Sequence, residues 1–198
     1  MHKQYCGYVS IIGKPNVGKS TLINTMLDKK ISITSRKSQT TRNNILGIRT
    51  IENKQIIFID TPGMHIKSQK TMNKVLNKSA QGIIDDSDII LFVLQRLTLG
   101  DEDKLILEKL TEVNPKTICV INKIDQVEDK NKLLPFIEKL NEEYAFEEIH
   151  MISAKNNDGV GNLITAIEKY LPENNHIYDN NFKLYAKLNQ KNLIFWCC

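Results

Sequence analysis

The sequence lacks any apolar stretch of the roughly 18 residues that a membrane-spanning helix needs. Between Met1 and Gly13 no long apolar segment precedes a small-residue cleavage site, so the sequence gives no sign of a secretory leader. Only four cysteines occur, and neither C-x-x-C nor H-x-x-x-H spacing is present to support a zinc site. These absences favour a cytoplasmic protein and argue against the usual structural metal sites.

The composition is neither strongly charged nor poor in apolar residues. Of the 198 residues, 41% are hydrophobic and 25% are charged, close to the average for globular proteins. This length supports one domain of good size and is marginal for two. The net charge of +4 permits binding to RNA or to anionic lipid but does not require either.

Apolar runs of strand length alternate with segments of helical periodicity. Strands are predicted near residues 6–12, 44–51, 54–60, 88–95, 116–121 and 147–152, and helices near 20–28, 70–86, 101–112, 130–144 and 160–171. Such alternation is typical of a mostly parallel sheet with helices on both faces. A short polar turn at Asn53 indicates one hairpin. We therefore predict an α/β fold with a six-stranded, mostly parallel sheet that contains one antiparallel strand.

The segment Gly13–Ser20, GKPNVGKS, matches the phosphate-loop pattern G-x-x-x-x-G-K-[ST]. It follows the apolar run 7–12 and precedes a helix predicted to start at Ser20. This arrangement points backbone N–H groups and a helix N-terminus at one place, which favours an anion there. Lys19 would neutralise the β- and γ-phosphates, and the Ser20 hydroxyl would ligate Mg²⁺. The alternative is a glycine-rich turn before an ordinary helix.

A second polar segment, Asp60-Thr61-Pro62-Gly63, follows the apolar run 55–59, which is typical of a strand buried on both faces. A carboxylate at the end of that strand lies beside the phosphate loop. Asp60 would hold Mg²⁺ through water, and the Gly63 N–H would sense a γ-phosphate. A simple turn is the alternative, because Asp, Pro and Gly all favour turns.

Two further segments concern the base. Asn122-Lys123-Ile124-Asp125 follows a predicted strand, and the Asp125 carboxylate can accept from the N1–H and 2-amino groups of guanine. Adenine offers no donor at either position, and the mismatch would cost a few kcal/mol, about a hundredfold in affinity. Ser153-Ala154-Lys155 supplies a backbone N–H near the guanine oxygen, a weak signal alone. The four segments in this order predict a GTP site.

The polar stretch 34–42 has no apolar periodicity and is predicted to be a loop. Either Thr40 or Thr41 would complete the Mg²⁺ shell when a γ-phosphate is present, and we favour Thr41. The loop would order with GTP and loosen after hydrolysis. Its basic residues are interpreted as a solvated face, with RNA contact as the alternative.

Four segments carry a likeness to one protein family. They are Gly13–Ser20, Ser38–Arg42, Asp60–His65 and Asn122–Asp125. Together they resemble the Era family of bacterial ribosome-assembly GTPases, from about Cys6 to about Pro172. The resemblance implies a P-loop GTPase G domain followed by a KH domain that binds the 3′ end of small-subunit ribosomal RNA. It also implies peripheral association with the inner face of the cell membrane, and we expect a monomer.

Met64 stands where Ras-like proteins place the glutamine that orients the attacking water. Its thioether cannot position a nucleophile by hydrogen bonding, so we expect slow intrinsic turnover. The catalytic residues are predicted to be Lys19, Thr41, Gly63 and Asn16. The resemblance suggests that Asn16 helps to hold a potassium ion, and the alternative is that Asn16 only braces the loop.

The predicted site combines phosphate, metal and base contacts. Its nucleotide-binding residues are Gly13, Lys14, Pro15, Asn16, Val17, Gly18, Lys19, Ser20, Thr21, Asp60, Thr61, Pro62, Gly63, Asn122, Lys123, Asp125, Ser153, Ala154 and Lys155. Its Mg²⁺ ligands are Ser20, Thr41 and Asp60. We expect GTP or GDP as ligand and Mg²⁺ as cofactor, with K⁺ as a hypothesis.

Residues 1–172 are predicted to form the G domain, and residues 173–198 an atypical tail. The tail is rich in asparagine and ends on Phe195-Trp196-Cys197-Cys198. No G-x-x-G loop, with which KH domains clamp the nucleotide backbone, occurs in the chain. We interpret the tail as a truncation or frame shift, with a docked C-terminal strand as the alternative. Paired terminal cysteines also occur in prenylated Rab GTPases, but the preceding motifs look bacterial.

Three functions remain open at this point. The first is a GTPase that hydrolyses GTP to GDP and phosphate and assists assembly of the small ribosomal subunit by binding its RNA. The second is a GTP-dependent binding switch that turns over only on a partner, which Met64 favours. The third is a non-functional fragment without RNA binding. A GTPase of transfer-RNA modification shares the phosphate loop but sits in a longer helical protein.

Overall fold

Six strands form one sheet in the computed structural model, which describes residues 3–27, 45–59 and 87–179 and two short strands at 188–189 and 192–193. The six strands are β1 (Tyr5–Ile12), β2 (Ile45–Ile51), β3 (Lys54–Ile59), β4 (Ile89–Gln95), β5 (Thr117–Asn122) and β6 (Glu148–Met151). Their order across the sheet is β2-β3-β1-β4-β5-β6. Only β2 runs antiparallel to its neighbour, because a tight turn joins it to β3. The predicted fold class is confirmed.

Four helices flank the sheet in the described residues: α1 (Lys19–Met26), α2 (Asp101–Val113), α3 (Leu133–Glu143) and α4 (Val160–Tyr170). The helix predicted near 70–86 lies outside those residues. The helix predicted to begin near 130 begins at Leu133 instead, after a 3₁₀ turn at Lys130–Lys132. Pro135 explains the later start, because proline lacks an N–H and is tolerated in the first turn of a helix but not in its interior.

The sheet has an apolar core on each face. Strand β4 shows this most clearly, since every residue from Ile89 to Leu94 is fully buried. Alternate side chains enter one core with α1 and α4 and the other core with α2 and α3. Cys119 on β5 belongs to the second core, where burial raises the pKa of its thiol. Cys119 is thus a small, buried core residue.

The carboxyl ends of β1, β3, β4, β5 and β6 all lie at the same edge of the sheet, since these strands run parallel. Strand β1 pairs with β3 on one side and with β4 on the other. The path of the chain across the sheet therefore changes direction at β1. Open α/β sheets bind ligands at such a reversal, outside the carboxyl ends of the strands.

Within the described part of the chain, no helix is both long and apolar enough to cross a membrane.

A buried glutamine on β3 holds the segment that follows α4 against the sheet. Gln55 is fully buried, and its Oε1 accepts from the N–H groups of Ile177 and Tyr178, both at 3.0 Å. Its Nε2 donates to Tyr178 O at 2.8 Å and to Thr50 Oγ1 at 3.0 Å. One side chain therefore satisfies three backbone groups of the docked segment.

We expect Gln55→Leu to destabilise the protein by about 2 kcal/mol, because the N–H groups of Ile177 and Tyr178 and the Tyr178 carbonyl would lose the buried Gln55 amide as their partner. Urea unfolding should show this loss. Hydrogen exchange of the Ile177 and Tyr178 amides should accelerate more than exchange in β5. Gln126→Leu, at an exposed position, is the matched control and should change stability by less than about 0.5 kcal/mol. Unchanged amide protection in Gln55→Leu would contradict the expectation.

Candidate nucleotide-binding site

The phosphate loop leaves the end of β1 and runs into α1 through two glycines that no other residue could replace. Gly13 has φ +143°, and a β carbon there would lie 2.4 Å from Val93 O. Gly18 has φ +102°, and a β carbon there would lie 2.3 Å from Asn122 Nδ2. Both positions need the left-handed backbone and the missing side chain that only glycine provides. Their spacing sets the width of the loop.

Lys19 begins α1, and its side chain folds over the loop. Its Nζ donates to Gly13 O at 2.7 Å and to Lys14 O at 2.6 Å. The ammonium is therefore fixed beside the loop backbone, at the N-terminus of a helix. Positive charge and helix N–H groups at the same place favour a phosphate ligand.

Asn122, the last residue of β5, joins the phosphate loop to the loop after β6. The side chain is only 2% exposed. Its Nδ2 donates to Val17 O at 2.9 Å, and its Oδ1 accepts from Ala154 N at 3.0 Å. The sequence places Asn122 in the segment that selects the base, and the geometry adds that it holds two loops in register.

Lys123 makes a second connection to the phosphate loop. Its Nζ donates to Asn16 O at 2.6 Å and to Gln95 Oε1 at 2.8 Å. Asn16 has φ +65° and an exposed side chain, so its backbone braces the loop while its amide faces solvent. Sequence reasoning missed Gln95. Its place at the carboxyl end of β4 was the only signal that could have found it.

Asp125 lies in the 3₁₀ turn Ile124–Gln126, exposed at the rim of the site. Its Oδ1 accepts from the buried Ser153 hydroxyl at 2.7 Å. This bond orients the carboxylate and leaves Oδ2 and the second lone pair of Oδ1 for a ligand with N–H donors. A planar group with two adjacent donors, such as the N1–H and 2-amino edge of guanine, matches a carboxylate in geometry.

The loop after β6 is anchored to α1 as well as to β5. Thr25 Oγ1 donates to Ala154 O at 2.9 Å and to Thr21 O at 2.9 Å. Ala154 is thus held through both its N–H and its C=O, while Lys155 is exposed. Thr25 had no sequence signal, because a threonine in a helix usually bonds only its own backbone.

The described residues bring together Gly13–Thr21, Asn122, Lys123, Asp125 and the 153–155 loop at the carboxyl edge of the sheet. Pro15, Ser20 and Thr21 are exposed there. The predicted site residues Thr41, Asp60, Thr61, Pro62 and Gly63 lie outside the described residues, as do Thr40 and Met64.

Ser20 suits Mg²⁺, because its hydroxyl is a hard oxygen ligand at the exposed start of α1. No cluster of three or more His, Cys, Asp or Glu side chains that could hold a metal by itself occurs in the described part of the chain. Mg²⁺ in nucleotide sites needs no such cluster, since substrate phosphates and water supply most of its ligands. The local donor set therefore fits a metal that arrives with a nucleotide.

The family model of the 50S ribosome-binding GTPases matches residues 8–123, which include the phosphate loop, Asn122 and Lys123. This match covers more than half of the chain. The chain belongs to this GTPase family. The GTPase Era of Coxiella burnetii is 46% identical over 173 residues, which are 87% of this chain and 58% of that relative. The resemblance to Era that the sequence motifs indicate is confirmed.

Solved structures of Era give the same result for the fold. Era in complex with MgGDPNP and nucleotides 1506–1542 of 16S ribosomal RNA has a TM-score of 0.73 and 36% identity, covering 91% of this chain and 61% of that chain. An Era variant of Aquifex aeolicus bound to GDP·AlF4⁻ has a TM-score of 0.73 and 35% identity, covering 91% and 62%. This member of the GTPase family thus spans less than two thirds of the length of the relatives that it matches.

Proposed function

We propose that this chain binds GTP and hydrolyses it slowly to GDP and phosphate. The observation that carries the proposal is the set of bonds by which β5 links the two halves of the site. Asn122 joins the phosphate loop to Ala154, and Lys123 reaches the same loop at Asn16. A site that must hold a triphosphate and a purine at a fixed separation needs such a connection, whereas an ordinary glycine-rich turn does not.

The chemistry proposed for the site is mainly electrostatic. The loop N–H groups and Lys19 neutralise the β- and γ-phosphate oxygens, where charge accumulates during phosphoryl transfer. A bound Mg²⁺, for which we propose Ser20, Thr41 and Asp60 as ligands, would add positive charge at the same oxygens. Asp125 selects guanine, and the N–H of Gly63 senses the γ-phosphate. Met64 supplies no hydrogen bond to water, so intrinsic turnover is slow.

The first test is GTP hydrolysis by the 198-residue chain with Mg²⁺, in potassium and in sodium at equal ionic strength. We expect measurable turnover that is about tenfold or more faster in potassium, because one fixed cation can stabilise developing phosphate charge by that much. Asn16→Ala should remove the potassium effect while GDP binding remains. Equal hydrolysis rates in potassium and in sodium would mean that Asn16 does not hold a potassium ion and only braces the loop.

Absence of GTP binding by the unaltered chain would overturn the proposal altogether. Lys19→Met provides the matched negative control, because it removes the ammonium and keeps the length of the side chain. Its residual rate should equal the background without protein.

We further propose the small ribosomal subunit as the partner, as an extension from the Era structure that contains 16S ribosomal RNA. The net charge of +4 is compatible with such a contact. Cosedimentation with small subunits should then depend on the nucleotide and be stronger with a non-hydrolysable GTP analogue than with GDP. We also propose that the protein is monomeric and cytoplasmic and that it attaches peripherally to the inner face of the cell membrane.

The second candidate is a GTP-dependent switch that turns over only on its partner. Met64 favours it, because the position that orients water in Ras-like proteins carries no hydrogen-bonding group. This candidate would be favoured over the first if the isolated chain bound GTP tightly without hydrolysing it and if small ribosomal subunits restored hydrolysis.

A further inference from the structure

An ion pair with a buried carboxylate connects Lys14, the second residue of the phosphate loop, to helix α2. Lys14 Nζ lies 2.6 Å from Asp103 Oδ2, and the Asp103 side chain is fully buried. Asp103 is the third residue of α2, and its Oδ2 also accepts from Gly100 N at 2.9 Å. Its Oδ1 is buried and has no hydrogen-bond partner in the described part of the chain.

The ion pair adds to a helix cap, because Asp103 is the third residue of α2 and its carboxylate also accepts from the backbone N–H of the N-cap residue Gly100. Asp101, Glu102 and Asp103 all stand in the first turn of α2, where carboxylates are favourable, yet Asp101 is exposed. Asp103 instead points into the protein, where burial of a charge is costly unless a cation pairs with it. Lys14 is that cation, and Gly100 leaves room for it, since a β carbon there would lie 3.1 Å from Lys14 Nζ.

The consequence reaches the phosphate site through the backbone of Lys14. The carbonyl of Lys14 accepts from Lys19 Nζ at 2.6 Å, and the adjacent Gly13 carbonyl accepts from the same atom at 2.7 Å. Holding the Lys14 side chain therefore limits rotation of the two carbonyls that place the Lys19 ammonium. The chain of contacts runs from Asp103 to Lys14 and from Lys14 to Lys19.

We propose that Asp103 is a positioning residue of the phosphate site, which acts through Lys14 to aim the Lys19 ammonium at the β-phosphate. The inference rests on the proposed function, since it requires a nucleotide at the loop. It predicts that Asp103 affects binding of the β-phosphate and leaves binding of the base and α-phosphate unchanged.

The test compares the affinities of GDP and GMP, because the two ligands differ only in the β-phosphate. In Asp103→Asn the ratio of GDP to GMP affinity should fall about tenfold, the size of one weakened charge-assisted hydrogen bond. Asp101→Asn is the matched control, because it removes the same charge from the same helix turn at an exposed position. Its ratio should equal that of the unaltered protein.

A double-mutant cycle with Lys14→Met tests the route of the effect. In the Lys14→Met background, Asp103→Asn should lower the ratio no further, because the two residues act as one unit. The double variant has no unpaired buried charge, so it keeps the comparison available should either single variant fail to fold. Lys14→Arg should preserve the ratio, since it keeps the cation.

An unchanged GDP to GMP ratio in Asp103→Asn, or in the double variant, would overturn the inference. Equal losses of GDP and GMP affinity would also overturn it, because they would mark Asp103 as a general determinant of folding. Additive losses in the cycle would exclude Lys14 as the intermediary. Failure of the unaltered protein to bind GDP would instead overturn the proposed function itself.

Discussion

Asp125→Asn is expected to lower the affinity for GTP about a hundredfold or more and to raise the affinity for xanthosine triphosphate. In the proposed complex the carboxylate accepts from two donors of guanine, the N1–H and the 2-amino group. The amide that replaces it keeps one acceptor and gains a donor, which would face the 2-amino group of guanine without a bond. Xanthine carries a carbonyl at that position and so complements the amide.

The geometry of Asp125 allows this substitution to change the base contact and keep the orientation of the side chain. Oδ1 accepts from the Ser153 hydroxyl at 2.7 Å, and an amide oxygen can keep that bond. The orientation of the side chain should therefore survive, and only the pairing with the base should change. The measurement is titration of GTP, ATP and xanthosine triphosphate against the unaltered protein and the variant.

Asp129→Asn is the matched control for this experiment. Asp129 is an exposed carboxylate in the next turn of the chain, and its Oδ1 accepts from Asn131 N at 3.1 Å. Loss of the same charge there should leave the preference for guanine intact. If Asp125→Asn weakened GTP and xanthosine triphosphate to the same degree, the base would have to be read by other groups.

The fold follows closely from local patterns in the sequence. The continuous apolar runs that became β3, β4 and β5 are typical of strands covered on both faces, and all three are buried in a parallel sheet. Periodicity placed the strand ends within one residue of those observed. The start of α3 was predicted too early, because Pro135 limits a helix in a way that apolar spacing does not reveal.

The candidate site was predictable only where its chemistry repeats a local motif. Gly13, Gly18 and Lys19 follow from the phosphate-loop pattern, because the loop conformation itself requires those residue types. Asp103 and Gln55 carry no such signal. In the sequence, Asp103 is one of three carboxylates in the first turn of a helix. Gln55 contacts Ile177, which lies 122 positions later in the chain. Contacts of that kind depend on the packed fold and not on neighbouring sequence.

The same distinction explains why sequence reasoning predicts only part of the role of Asn122. A polar residue at the end of a buried strand marks the edge where ligands bind. It does not reveal that the amide spans from Val17 to Ala154, since both partners offer backbone atoms that any residue would carry. In the structure the Asn122 amide joins two loops, a role that is separate from the base selection proposed for its segment.

We therefore expect Asn122→Asp to have the largest effect on stability among these substitutions, about 3 kcal/mol. The change is isosteric and keeps the acceptor for Ala154 N, but it replaces the donor to Val17 O with an oxygen. Because the side chain is 2% exposed, the new carboxylate would be buried with one of its oxygens against the Val17 carbonyl, where the donor is lost. It would be protonated or would push the two loops apart.

Urea unfolding without nucleotide measures the stability loss, because a bound ligand would mask part of it. GDP titration should show at least a tenfold loss of affinity in the same variant, since the phosphate loop would no longer be held against the loop after β6. Asn156→Asp is the matched control at an exposed position of that loop and should change stability by less than about 0.5 kcal/mol. If Asn122→Asp unfolded at the same urea concentration as the unaltered protein, the amide would not be the connection between the loops. The alignment of phosphate and base contacts would then have to come from Lys123, whose Nζ bonds Asn16 O and Gln95 Oε1, and from the bond between Thr25 Oγ1 and Ala154 O.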